Sequence, residues 1–264
     1  MPGNAGVNRD PHAVQWAREN AQKHERCSSG KDTGEESTDG RQGTEHPWPE
    51  NLLRLFKADT ILLGGEEVFV LVLEYCESGS LFNLVVRGGG GGLSPEDVKD
   101  VFRGLIAGVQ AMHARGLVHR DIKPHNILLA RPYRGLQLVV KVADFGSCQK
   151  LPEASSGVGA FTVGTYPYLP PEAYGEEGTE IGTSQGDLFK ADVWACGVTL
   201  YFLAHGDTPF AYTKTEGLED LKRARYEINS DLPEGLQDLI RGMVALPSER
   251  LSVRGVLGHP WLLS

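Results

Sequence analysis

Three features that mark whole classes of protein are missing from this sequence of 264 residues. The longest apolar stretch, Val193 to Ala204, falls short of the roughly eighteen residues that a membrane span needs, so it predicts a buried helix. No C-x-x-C spacing joins the four cysteines, and the N-terminus has no basic-then-apolar signal pattern. We therefore expect reduced thiols in a cytoplasmic or nuclear protein, without a disulfide framework or a zinc site. The net charge of −9 argues against nucleic acid or a membrane as partner, because both favour basic patches.

Residues 1–46 differ in composition from the remaining chain. One helix is predicted from Pro11 to about Arg26, with Asp10 as its cap and a proline in its first turn. The stretch from Cys27 to His46 is rich in glycine, serine, threonine and acidic residues, which predicts a disordered insert or linker. We interpret residues 1–46 as a divergent N-terminal segment.

Short strands are predicted next, from Leu52 to Phe56 and from Ile61 to Leu63. Glu67 to Tyr75 is a run of valine, phenylalanine and leucine that is too continuous for an edge strand, so we predict a buried strand. Gly64-Gly65 supplies the turn between these strands. The five-glycine run Gly88 to Gly92 predicts a flexible loop, and without a following Lys-Ser/Thr it is not expected to bind phosphate.

The clearest helix signal begins at Ser94 and ends near Gly116. Ser94 is the expected cap, Pro95 suits the first turn, and Asp97 completes a capping-box spacing. Apolar residues then follow at intervals of three and four, as on one buried face. Later elements are predicted as strands Leu117-Val118, Ile127 to Leu129 and Leu138 to Val142, and as helices Asp192 to Ala204, Glu219 to Arg225 and Leu236 to Met243. A strand-rich start followed by helices favours an α+β fold.

The segment that carries the chemistry is His119-Arg-Asp-Ile-Lys-Pro-His-Asn126. Eighteen residues after it comes Asp144-Phe145-Gly146, preceded by the predicted strand Val139 to Ala143. Together the two motifs match, in order and in strand context, the catalytic loop and the metal-binding motif of protein kinases. The sequence resembles the eukaryotic protein kinase superfamily, serine/threonine type, over about residues 47–264. That resemblance implies a bilobal kinase-like fold with an incomplete small β lobe and a complete, mostly helical large lobe.

The resemblance also implies a role for each residue of the loop, with ATP and Mg²⁺ as cofactors. Phosphoryl transfer needs positioning and charge neutralisation rather than covalent chemistry. Asp121 would accept or orient the proton of the substrate hydroxyl, and Lys123, typical of serine/threonine kinases, would steady the transferred group. Asn126 and Asp144 offer the hard oxygen ligands that Mg²⁺ prefers. Thr165 would line the substrate site and bond to Asp121 or Lys123.

Upstream, the sequence Leu71-Val-Leu-Glu-Tyr-Cys76 resembles the hinge of a kinase. In that resemblance Leu73 is the gatekeeper, and the backbone groups of Glu74 and Cys76 bond adenine. Ser80 would lie near the ribose, and Leu128 would form the floor of the adenine pocket. A base is bound by apolar contact with a few convergent polar groups, as this set provides.

Further resemblances concern the support of the site. Arg250 matches the arginine that pairs with Glu172 at the end of the activation segment, where Pro-Pro-Glu replaces the usual Ala-Pro-Glu. Asp192 would anchor the backbone of the catalytic loop, and His119 and Phe145 would belong to a hydrophobic spine.

A regulatory role is predicted for the activation segment. The segment runs from Asp144 to Glu172 and contains Ser155, Ser156 and Thr162. We expect a phosphate on one of these hydroxyl groups to pair with Arg120 and to order the segment. The stretch Phe189 to Tyr201 resembles the calcium/calmodulin-dependent kinase kinases and the liver kinase upstream of AMP-activated kinase. The expected partner is therefore a protein substrate, with another kinase as one candidate.

Within residues 1–46 there is neither a G-x-G-x-x-G-x-V loop nor a V-A-I-K strand, so nothing obvious holds the α- and β-phosphates. Residues 47–76 are interpreted as a remnant of the small lobe with the hinge, and residues 77–264 as the large lobe. Three interpretations stay open at this point. The chain is an incomplete version of an active kinase, a pseudokinase that serves as a binding or scaffold module, or an active kinase with an unusual phosphate-holding arrangement.

Overall fold

The computed structural model describes residues 48–130, 138–151, 164–174, 185–211 and 213–264. The predictions for residues 1–46 and for Ser155, Ser156 and Thr162 lie outside these ranges. The strands are β1 (Leu55–Leu63), β2 (Glu66–Leu73), β3 (Leu117–Val118), β4 (Ile127–Ala130), β5 (Val139–Val142) and β6 (Gln149–Lys150). The α-helices are α1 (Leu81–Arg87), α2 (Pro95–His113), α3 (Gln185–His205), α4 (Lys214–Lys222), α5 (Glu234–Met243), α6 (Val253–Leu257) and α7 (Pro260–Leu263). The strands form three antiparallel pairs, β1 with β2, β3 with β6 and β4 with β5, so the α+β class is confirmed.

The β1–β2 hairpin differs from its prediction in two ways. The two short strands expected before the Gly64-Gly65 turn are one strand from Leu55 onward, and the prediction that β2 is buried is wrong. Leu71, Val72 and Leu73 are 45%, 47% and 43% exposed. A continuous apolar run is buried only where both faces of a sheet are covered. In the described ranges β2 pairs with β1 alone, so its side chains stay accessible.

Helix α2 confirms its predicted start and buried face. The Ser94 hydroxyl accepts the Asp97 N–H at 3.2 Å and donates to the Asp97 carboxylate at 2.7 Å. The helix ends at His113, three residues before the predicted Gly116. At two positions α2 approaches β5 too closely for a side chain. A Cβ atom on Gly104 would lie 2.7 Å from the Cβ of Val140, and one on Gly108 would be as close to the next apolar residue of β5. This contact fixes the strand that leads into Asp144.

Helix α3 forms the centre of the large lobe and is longer than the predicted Asp192 to Ala204. Its residues from Ala191 to Ala204 are buried except for the half-buried Tyr201, as expected of a helix surrounded by protein, and α2, α5 and α6 all contact it. The glycine run before α2 packs on the C-terminal end of α3. The Leu93 N–H donates to the Leu203 carbonyl at 2.7 Å, and a Cβ atom on Gly92 would collide with the Ala204 carbonyl. The prediction of a flexible loop is therefore wrong for Gly92, whose missing side chain permits this close approach.

The later helices are displaced from their predicted bounds. A helix was expected from Glu219 to Arg225, but α4 ends at Lys222. Ala224 has a positive φ of 49°, which is a left-handed conformation, and a right-handed helix cannot continue through such a residue. Apolar spacing alone does not reveal such a residue. Helix α5 begins two residues before the predicted Leu236 and ends where expected.

The Asn229 N–H favours the neutral form of His205, the last residue of α3. Its Nε2 accepts the Asn229 N–H at 3.1 Å, so the proton lies on Nδ1, 3.0 Å from the Tyr201 carbonyl. Burial lowers the pKa of His205, while the bond to Tyr201 acts in the opposite direction. Burial also lowers the pKa of His125. A histidine whose pKa is lower in the folded chain stabilises the fold fully above its unfolded pKa of about 6.5, and this stability is lost as the pH falls below that value.

We therefore expect the Tm of the chain to fall when the pH is lowered from about 7.5 to about 5.5, and to fall less in His205→Asn. Thermal unfolding of both proteins at the two pH values measures the difference. An equal pH dependence in parent and variant would exclude His205 as a contributor.

Candidate active site

A buried carboxylate anchors the backbone of the catalytic loop. Asp192 on α3 is 1% exposed, and it accepts the N–H groups of His119 and Arg120, both at 2.9 Å. Its third partner is Nε2 of His113, at 2.8 Å. Burial by itself raises the pKa of Asp192, but the hydrogen bond and charge of His113 hold it below its ordinary value. The predicted anchor is confirmed. His113 was missed because its partner lies on another helix.

Three side chains of the predicted site, those of Lys123, Asn126 and Thr165, meet around the carboxylate of Asp121. The Lys123 ammonium lies 2.7 Å from Oδ2 of Asp121 and 2.7 Å from the hydroxyl of Thr165. That hydroxyl donates to Oδ1 of Asp121 at 2.7 Å. The Asn126 amide donates to the Asp121 carbonyl at 2.9 Å and to its Oδ2 at 3.0 Å. Thr165 thus contacts both of the residues that the sequence named as alternatives, across 42 to 44 positions of the chain.

Strand pairing brings the two candidate metal ligands together. Ile127 pairs with Val142, and the Ala143 N–H donates to the Asn126 carbonyl at 2.9 Å, so Asn126 and Asp144 lie at the same end of the β4–β5 hairpin. Asp144 has a positive φ of 61° and is exposed, and its Oδ1 accepts the Gly146 N–H at 3.4 Å.

These residues fit a magnesium ion. The Asn126 amide nitrogen donates to Asp121, so the amide oxygen is not used in these hydrogen bonds and is available to a cation at the end of the hairpin where Asp144 also lies. Mg²⁺ takes one or two protein oxygens together with phosphate and water, so two ligands suffice. No cluster of three or more His, Cys, Asp or Glu side chains arranged for a metal occurs in the described ranges.

The predicted packing of His119 on Phe145 is confirmed, with ring centroids 5.9 Å apart. His119 also bonds the Ala143 carbonyl through Nε2 at 2.9 Å. Arg120 has a positive φ of 68°, and its guanidinium donates to the Ser147 carbonyl at 2.7 Å and to Gln149 at 2.9 Å. A phosphate that pairs with Arg120 would therefore have to compete with contacts just after the Asp-Phe-Gly motif.

The hinge residues are only partly brought together. Ser80 is 7% exposed, bridges to Leu128 and caps α1 by accepting the Asn83 N–H at 3.3 Å. Its hydroxyl therefore has a structural role as a helix cap, and its place near a ribose stays a prediction. The side chain of Leu73, the predicted gatekeeper, is 43% exposed. Burial is the main cause that raises the pKa of the Cys76 thiol to about 11, so it stays a thiol at neutral pH.

A partly buried ion pair that the sequence did not predict joins the hinge to the large lobe. Nζ of Lys141 on β5 lies 2.8 Å from Oε1 of Glu74, and these side chains are 10% and 22% exposed. Glu74 is also fixed by its backbone, since its N–H donates to the Arg54 carbonyl at 2.8 Å. Lys141 thereby positions the residue whose backbone was predicted to bond adenine.

Breaking this pair from one side should cost more than removing it altogether, because a half-buried carboxylate without its cation is unfavourable. We expect Lys141→Met to lower the Tm, and Lys141→Met combined with Glu74→Gln to recover part of the loss. Thermal unfolding of both variants and the parent measures the difference. If the double variant is no more stable than Lys141→Met, the pair has no such role.

The chain belongs to the eukaryotic protein kinase family, because the model of the protein kinase domain matches residues 44–262. Among curated proteins it is similar to serine/threonine-protein kinase GIN4 of Saccharomyces cerevisiae, with 37% identity over 200 residues, which cover 73% of this chain and 16% of that protein. It is also similar to the inhibitor of nuclear factor kappa-B kinase subunit epsilon of Mus musculus, with 35% identity over 189 residues, which cover 70% of this chain and 25% of that protein.

These relatives confirm the resemblance to kinases of the serine/threonine type. The chain spans less than half the length of the curated relatives it matches. The resemblance to the calcium/calmodulin-dependent kinase kinases stays a prediction. No helix among the described residues combines the length and the apolar character that a bilayer crossing requires.

Proposed function

We propose that this chain transfers the γ-phosphoryl group of ATP to a serine or threonine hydroxyl of a protein, which on the subgroup resemblance is another kinase. One observation carries the proposal. Asp121, Lys123 and Thr165 form a closed set of hydrogen bonds, each 2.7 Å long, beside the two candidate metal ligands.

In this mechanism the substrate hydroxyl displaces Thr165 from Oδ1 of Asp121, which orients the attacking oxygen and accepts its proton. Lys123 is already 2.7 Å from that carboxylate and places a positive charge where the transferred group gains negative charge. Asn126 and Asp144 would hold Mg²⁺, which neutralises phosphate charge when bound. The backbone of Glu74 and Cys76 would bond adenine above Leu128. We place this reaction in the cytoplasm or nucleus, as the cysteine pattern predicts.

A second candidate is a binding or scaffold module with kinase form. The feature that favours it is the small lobe. Residues 1–46 contain no V-A-I-K lysine, and the side chains at the end of β2, including Leu73, are exposed where the adenine pocket would need cover. Phosphate contacts from the small lobe would then be missing, although the loop around Asp121 is complete.

Nucleotide binding separates the two candidates. A ligand at about a hundred times its Kd adds about 2.7 kcal/mol of stability, which is roughly 5–10 °C in Tm for a domain of this size. We expect a shift of this order with Mg·ATP, and none with ATP and a chelator. Asp144→Asn is the matched control, because it removes one candidate metal ligand at an exposed position and should abolish the shift. A well-folded parent without any shift would favour the scaffold.

A further inference from the structure

A groove of about 340 Å³ lies outside the proposed catalytic centre. One side is the segment Arg223 to Ile228 after α4, and the other is the turn Val244 to Glu249 after α5. None of the residues that line it belongs to the catalytic loop, the Asp-Phe-Gly motif or the hinge. The proposed phosphoryl transfer therefore does not use the residues of this groove.

Hydrogen bonds behind the groove fix the positions of its two walls. The Lys190 ammonium donates to the Pro247 carbonyl at 2.6 Å, and Nε of Arg250 donates to the Ala245 carbonyl at 2.9 Å. On the opposite side the Tyr226 hydroxyl donates to a carbonyl of α5 at 3.4 Å. A site whose walls are already fixed binds without a large cost of ordering.

The accessible lining is mainly polar, with a smaller apolar part that an occupant can cover. Val244 is buried beneath it, whereas Leu246 is 39% exposed and Ile228 is half-buried. The chain turns after α4 at Ala224, which has a positive φ. Arg223 precedes this turn, Tyr226 follows it, and both residues line the groove. One exposed leucine is ordinary on a protein surface, but Leu246 lies in the same concave site as Ile228 and Arg241, where a single occupant can contact all three.

The charges of the lining are two guanidinium groups and one carboxylate, that of Glu249. Arg241 donates to Gln237 at 3.0 Å, and no carboxylate lies within ion-pair distance of it among the described residues. Arg223 reaches Glu219 only at 3.5 Å, with both side chains more than 60% exposed, so that pair is weak. The lining therefore carries more positive than negative charge, whereas the whole chain has a net charge of −9.

We propose that this groove docks a segment of a partner protein in which an aspartate or glutamate adjoins a large apolar side chain. The carboxylate pairs with Arg241, and the apolar side chain covers Leu246 and Ile228. A free anion would leave the apolar lining uncovered, and an uncharged apolar segment would leave Arg241 unused. The docking is independent of the proposed catalysis and holds for an active kinase and a scaffold alike.

A library of random linear peptides displayed on phage, selected on the whole chain, tests this docking. We expect the enriched peptides to place Asp or Glu beside Leu, Ile or Phe. Their affinity should fall about tenfold or more in Arg241→Glu and in matched peptides whose acid is replaced by the amide. Leu246→Ser should weaken them too. Arg254→Glu, an exposed arginine on α6 outside the groove, should bind as the parent does.

Three results would overturn the proposal: no enrichment of acidic peptides, equal affinity for Arg241→Glu and the parent, or full displacement of the peptide by inorganic phosphate, which would identify an anion site. The amide-substituted peptides keep the test valid if a variant chain fails to fold. Equal Tm values for Arg241→Glu, Arg254→Glu and the parent show that the comparison concerns the groove alone.

Discussion

Replacing Asp121 with asparagine should lower the rate of phosphoryl transfer by a factor of about 10² to 10⁴, the range expected for a lost general base. The fold should survive. Thr165 donates to one oxygen of this carboxylate, whereas Lys123 and Asn126 donate to the other. An amide can turn its oxygen toward the two donors and its nitrogen toward Thr165, whose hydroxyl can rotate and accept.

Single-turnover transfer from labelled ATP to a serine-containing protein substrate, with Tm measured alongside, tests this prediction. Asp231→Asn makes the same chemical change at an exposed site away from the loop and should leave the rate unchanged. A variant at Asp121 that keeps the parental rate would remove this residue from the mechanism. A variant that loses both rate and stability would indicate that the carboxylate is needed for the fold.

The largest expected loss of stability comes from breaking the ion pair between Arg250 and Glu172. Its two N–O contacts are 2.6 and 2.9 Å long, and the side chains are 0% and 6% exposed. Arg250 also donates to the carbonyls of Ala245 and Lys190, and its guanidinium lies 5.0 Å from the centre of the Trp194 ring. Removing one partner of a buried pair leaves a charge that water cannot reach.

We expect Glu172→Gln to cost about 3 to 5 kcal/mol, or roughly 6 to 20 °C in Tm. Asp220→Asn is the matched control, because it breaks the 2.7 Å pair between Asp220 and Arg225, whose side chains are more than half exposed. That pair should contribute at most about 1 kcal/mol. Thermal unfolding of the two variants compares pairs of similar length that differ in burial. Equal small losses would show that burial does not decide the strength of the Arg250 pair.

Features set by neighbouring residues could be predicted from the sequence. The cap and buried face of α2 depend on Ser94, Asp97 and local apolar spacing, and the structure has them as predicted. The catalytic loop and the Arg250 pair were identified because their motifs resemble a known family. The structure then supplied their geometry.

The predictions that were wrong or missing have physical causes that the spacing of residues along the chain does not reveal. The exposure of Leu73 depends on what covers a sheet. The end of α4 depends on a left-handed alanine, Ala224, and the ion pair of Lys141 joins positions 67 residues apart (141 minus 74). Such features are set by how elements meet, and an apolar pattern indicates only that a residue is to be buried.

The anchoring of the catalytic loop on Asp192 also bears on how the active centre is assembled. Loops are commonly the parts of a protein that open most easily. Here the N–H groups of His119 and Arg120 depend on a carboxylate from α3, which is itself paired with His113 from α2. We therefore expect the loop to take its native shape only when those two helices have docked, and to open together with the core rather than by itself.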